Sequence, residues 1–103
     1  WEPPTALSRI AELQEACHDG DAGLVRKLPA VGADVGHVDA HGNTPLMITV
    51  ERGHTGCMCL LLDAGADVHH ADPSGHTALM LASVVGHAEC TRLLIEAGAN
   101  VNF

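Results

Sequence analysis

Residues 39–54 read Asp39-Ala40-His41-Gly42-Asn43-Thr44-Pro45-Leu46-Met47-Ile48-Thr49-Val50-Glu51-Arg52-Gly53-His54. Thr44 has the character of a helix N-cap, since its hydroxyl can accept from a free amide of the first turn. Pro45 follows at the first helical position, where a missing N–H costs nothing. Leu46 and Val50, four apart, share one face of the helix that this start predicts. Gly53 closes it by taking a turn that a residue with a Cβ resists. The spacing predicts a short helix between Thr44 and Gly53.

Downstream, a second helix is expected to begin near His54 or Thr55. It carries Cys57, Met58, Leu60, Leu61 and Leu62, an apolar set too broad for a helix facing one neighbour, so packing on more than one side is expected. Gly65 supplies its left-handed end. The stretch from Ala66 to His76, rich in Asp, His, Pro and Gly, reads as an extended arm with a tight turn at Asp72-Pro73-Ser74-Gly75.

The whole pattern recurs. A shift of 33 positions carries Gly42 onto Gly75, Thr44 onto Thr77, Leu46-Met47 onto Leu79-Met80 and Gly53-His54 onto Gly86-His87. It also carries Cys57 onto Cys90, Leu60-Leu61 onto Leu93-Leu94 and Ala64-Gly65-Ala66 onto Ala97-Gly98-Ala99. Shifted backwards, Leu13, Gly20, Leu28 and Gly32-Ala33-Asp34-Val35 match Leu46, Gly53, Leu61 and Gly65-Ala66-Asp67-Val68. Three units result, the first degenerate. Helices this short are marginal alone, so stacking must stabilise each pair.

These residues, above all Gly42-Asn43-Thr44-Pro45-Leu46, Gly53-His54, Leu61-Leu62 and Gly65-Ala66-Asp67-Val68, resemble the ankyrin repeat over nearly all of the chain beyond Leu13. The resemblance implies an all-α solenoid of stacked helix-turn-helix units joined by β-hairpin-like arms. Its expected divisions are a leading segment with a degenerate repeat over 1–38, a repeat over 39–71, and a repeat over 72–103 truncated from a longer array. Met47 and Met80 replace the His that the family usually places there, so thioether packing is expected to substitute for a polar network. Pro29 stands where Leu is usual and predicts an early end or a kink in the second helix of the first unit. Thr5 to Cys17, after Pro3-Pro4, has helical spacing at Leu7, Ile10 and Leu13 or Gln14 and is expected to extend the first helix as an N-terminal cap. Without a following helix pair, Leu93, Leu94 and Ile95 are expected on or near an uncovered end.

Composition narrows the chemistry. The 103 residues are 47% hydrophobic but only 2% aromatic, with Trp1 and Phe103 at the two ends. An apolar content of that size favours a packed core, built here from aliphatic residues, Met and Cys. Base-stacking platforms and aromatic cages lack their materials. Five basic against thirteen acidic residues give a formal net charge of −8, which repels a phosphate backbone. Nucleic acid is not expected as a ligand; a basic protein surface would be attracted, although acidity also serves solubility. No apolar run reaches the roughly 20 residues of a membrane span, so no membrane insertion is expected.

Eight His and four Cys raise the question of zinc. Cys57 and Cys59 are separated by Met58 alone, without the gap of a zinc knuckle, and Cys57 and Cys90 at equivalent positions read as small core hydrophobes. Neither a metal nor a cofactor is expected. Reduced cysteines imply a cytoplasmic or nuclear setting. His18-Asp19, side by side at an inter-helix turn, do not form a productive catalytic couple, and no phosphate loop or nucleophile motif occurs. Neither an enzyme nor a small-molecule substrate is expected.

What remains is a surface for another protein. The resemblance implies a partner held along the concave side of the arms and first helices. Its variable positions fall here on Ala40, His41, Asn43, Glu51 and Arg52, on Pro73, Ser74, His76, Val84 and Val85, on His18 and Asp19, and on Ala71. The expected partner-binding residues are His41, Asn43, Glu51, Arg52, Ser74, His76, Val84 and Val85. Val84-Val85 stands out, because two β-branched apolar residues are not required at an exposed helix end. The other reading is a spacer that stacks only on its own flanking repeats or domains. If His41, His69, His70 and His76 share adjacent arms, acidification adds positive charge there and weakens a basic partner.

Overall fold

Thr44 and Thr77 begin helices as their spacing predicts. In a computed structural model, which describes residues 6–30 and 34–98, each threonine hydroxyl accepts from the N–H of the methionine three residues on, at 3.3 Å for Met47 and 3.4 Å for Met80. The helices are α1 (Ala6–Asp19), α2 (Ala22–Ala30), α3 (Pro45–Arg52), α4 (Thr55–Asp63), α5 (Ala78–Val85) and α6 (Ala88–Glu96). The described residues contain no strand. Trp1, Pro3-Pro4, Thr5, Gly32-Ala33 and Val101-Asn102-Phe103 lie outside them.

Glycines in the left-handed region end the first helices of the second and third units: Gly53 at φ 73° after α3 and Gly86 at φ 77° after α5. Gly20, at φ 75°, follows α1 in the same way. Helix α1 has 14 residues against 8 in α3, so the leading segment does extend it.

The helices form two parallel layers. First helices α1, α3 and α5 pack in a row, α2, α4 and α6 pack in a second row, and each first helix packs on the second helix of its own unit. Helix α4 touches α2, α3 and α6, which is why its apolar set is broad: Cys57, Met58 and Leu61 are buried and Leu60 and Leu62 pack against the core. Leucine columns thread the layers. Leu13, Leu46 and Leu79 form one and Leu28, Leu61 and Leu94 the other, all buried. Burying each such side chain stabilises by about 2 kcal/mol. The particle is elongated, 48 × 26 × 20 Å.

Met47 is fully buried and Met80 half-buried, and each capping threonine accepts from the backbone N–H of its methionine. Two expectations need correction. Pro29 does not shorten α2, which at nine residues equals α4 and α6. It sits one residue from the helix end, so its missing N–H removes one bond from the last turn rather than from the middle. Leu94 does not lie at an uncovered end; it is fully buried, because its face of α6 turns inward onto the preceding unit. Leu93 is half-buried, and Ile95 carries the exposure at 46%.

Candidate partner-binding face

The tight turn of each arm is tied by one aspartate. The Oδ1 atom of Asp39 accepts from the N–H groups of His41 and Asn43, both at 2.9 Å, and that of Asp72 accepts from Ser74 at 2.9 Å and His76 at 2.8 Å. The backbone closes the same loops: the Asp39 N–H donates to the Asn43 carbonyl and the Gly42 N–H to the Asp39 carbonyl, with Asp72, Gly75 and His76 repeating the pattern. The arms are therefore hairpin-like turns held by a carboxylate, without a ladder of strands. Both aspartates lie three residues before a glycine, Gly42 or Gly75, in the sequence. That spacing is a turn signal readable in the sequence.

Asp72 also faces the His76 imidazole, with Nδ1 3.5 Å from Oδ2. The His76 N–H above all, with the Ser74 N–H and the nearby ring, holds the Asp72 carboxyl below its ordinary range against a smaller opposing push from burial.

Successive arms and turns touch. Pro73 packs against Gly42, where a Cβ would collide with its ring, and the His70 Nε2 lies 3.3 Å from the Gly42 carbonyl. At the opposite end of the first helices, the His54 ring covers Gly20 and its Nε2 lies 3.1 Å from the His18 carbonyl, while the His87 ring covers Gly53. The family's Gly-His pair is thus a contact between neighbouring units. Among the described residues no three His, Cys, Asp or Glu side chains come together as a metal site. All four cysteines are free, and burial, reinforced by Cys57, pushes the Cys17 thiol up to about 12.

The eight expected partner-binding residues fall into two zones. His41, Asn43, Ser74 and His76 belong to the arms that lead into α3 and α5. Glu51, Arg52, Val84 and Val85 lie at the far ends of the same helices, about 12 Å away along an eight-residue helix. His41, Ser74, Glu51, Arg52, Val84 and Val85 are exposed; Asn43 and His76 are half-buried. His69, also on an arm, is exposed and its N–H donates to Asp67 Oδ1 at 2.8 Å.

Equivalent positions line up across the stack. His18, Glu51 and Val84 occupy one register and Asp19, Arg52 and Val85 the next, and all six are exposed. Down each register the side chains change from polar or charged to apolar. The described helices include none long and apolar enough to cross a membrane.

The model of a family described as ankyrin repeats, in three copies, matches residues 13–103. The chain belongs to the ankyrin-repeat family, whose members are in general modules for protein–protein interaction. No curated protein matches the sequence.

Proposed function

We propose that this chain is a protein-binding module of a larger intracellular protein, and that it holds its partner through the arm turns and the exposed ends of the first helices. The observation that carries the reading is the strip of six exposed residues at equivalent helix ends, backed by arms that are rigidly tied yet present His41 and Ser74 to solvent. A scaffold that fixes its backbone and varies its outward side chains is suited to recognition. The net charge of −8 supports a partner with a basic surface, and the four free thiols support a reducing compartment, cytoplasm or nucleus. No catalytic role, cofactor, nucleic acid or small-molecule substrate enters this reading.

A second reading, a spacer that stacks on its own flanking repeats, has one observation in its favour. Leu81 is half-buried where its counterpart Ile48 in the middle unit is fully buried, so the last unit has a face suited to another helix pair.

The test compares two variants with the parent chain as immobilised bait. One carries His41→Ala, Glu51→Lys and Ser74→Lys on the proposed face; the other carries Glu89→Lys and Glu96→Lys on α6. Loss of the retained proteins with the first variant alone supports the module. Equal retention by all three, or none by the parent, removes the binding reading and leaves the spacer.

A further inference from the structure

Val84 is 77% and Val85 43% exposed, and a further stacked unit would not account for this. The middle unit supplies the internal control. It is covered on both sides, by α1 and α5, and this covering buries Leu46, Met47, Ile48, Thr49 and Val50 along α3. Glu51 and Arg52, the counterparts of Val84 and Val85, nonetheless stay exposed. The exposure of Ile95 and Leu81 belongs to the stacking face, whereas the two valines project at a position that stacking leaves open.

Their surroundings state what would cover them. Next to Val84 in its register is Glu51, which makes no ion pair among the described residues, and beyond it His18; Asp19 adds a second exposed carboxylate at the first unit. Arg52 lies in the neighbouring register, between Asp19 and Val85. An apolar side chain set on Val84 therefore has a free carboxylate one unit away. Helices packed side by side, as α3 and α5 are, have axes about 10 Å apart. An extended chain advances about 3.3 Å per residue, so that distance is about three residues.

Resting on the protein-binding reading above, we infer that the strip of first-helix ends takes an extended segment of a partner protein in which an apolar side chain covers Val84 and Val85 and a lysine or arginine three residues away meets Glu51. Apolar contact at the valines supplies affinity, and the carboxylate sets direction and excludes acidic segments.

A display library of random dodecapeptides, selected on the intact chain, tests this. The expected yield is peptides with an aliphatic or aromatic residue spaced three from a basic one. Val84→Asp should weaken them about tenfold or more, and selection on Glu51→Lys should return acidic residues in place of basic ones. Both substitutions are at exposed positions, and unchanged thermal midpoints verify that the variants fold. Binders indifferent to Val84→Asp, or lacking the basic residue, overturn the inference and leave the module intact. A library that yields no binder overturns the inference, while retention of proteins by the parent chain as bait decides the module separately. A parent chain that sediments as a dimer, and as a monomer once Val84→Asp is introduced, assigns the strip to a second copy and likewise overturns it.

Discussion

The His87 imidazole covers Gly53 so closely that a methyl group added there would lie 2.8 Å from its Cε1 atom. His54 covers Gly20 in the same manner, also at 2.8 Å, and in addition reaches the His18 carbonyl. Neighbouring units are thus joined at their helix turns as well as through their cores. The glycine does two things at once: it takes a positive φ and it leaves room for the next unit's ring.

These two roles separate by substitution. Gly86 has a φ of 77° but nothing within 4 Å of an added Cβ, so Gly86→Ala should cost about 1–2 kcal/mol from backbone strain alone. Gly53→Ala should cost roughly 1 kcal/mol more, because His87 must leave its rotamer. Urea unfolding of both, alone and in a His87→Ala background, measures the difference. Equal costs in the parent background would remove the ring from the account.

Cys17 gives the protein an alkaline limit. Its thiol is buried in the core and pushed up to about 12, against 9.0 for the ordinary group. Below pH 9 it is protonated whether the chain is folded or unfolded, and it contributes no pH dependence. Between pH 9 and 12 the unfolded chain ionises and the folded one does not, so stability falls as pH rises, by about 1.4 kcal/mol per pH unit. Denaturant midpoints from pH 8 to 11 should show a shallower alkaline limb for Cys17→Ala than for the parent; parallel limbs would contradict this.

Asp72 acts at the other end of the scale. Its folded carboxyl lies below the ordinary 3.8, so its contribution is fully present above that value and is lost as pH falls through the lower folded one. Asp72→Ala should lower the thermal midpoint at pH 7 and flatten the acid limb below about pH 4. It should also speed amide exchange at Ser74 and His76, whose N–H groups donate to it, while leaving Leu79 protected. Unchanged exchange at Ser74 would show that the backbone turn holds the arm unaided.

The helices and their stacking were legible because the signals are local and occur twice. Thr44, Pro45 and Gly53 mark a start and a stop, and their copies repeat at the same interval, so the pattern of one unit checks that of the next. Pro29 does not end its helix early because the cost of a proline depends on its distance from the helix end, and that distance is one residue. Leu94 misled because an end unit still has an inner side: the helix turns one leucine inward and leaves Ile95 out. The partner-binding positions came from family resemblance. What sequence reasoning missed was Asp39 and Asp72, whose importance lies in what each carboxylate accepts.

Each unit is built against its immediate neighbours in a row of helix pairs, and this sets how the protein can fail. A lesion in α5 or α6 acts directly on α3 and α4, against which they pack, and leaves the packing of α1 on α2 in place. A lesion in α3 or α4 takes from α1 and α2 on one side, and from α5 and α6 on the other, the wall they share, and so parts the units that stand on either side of it.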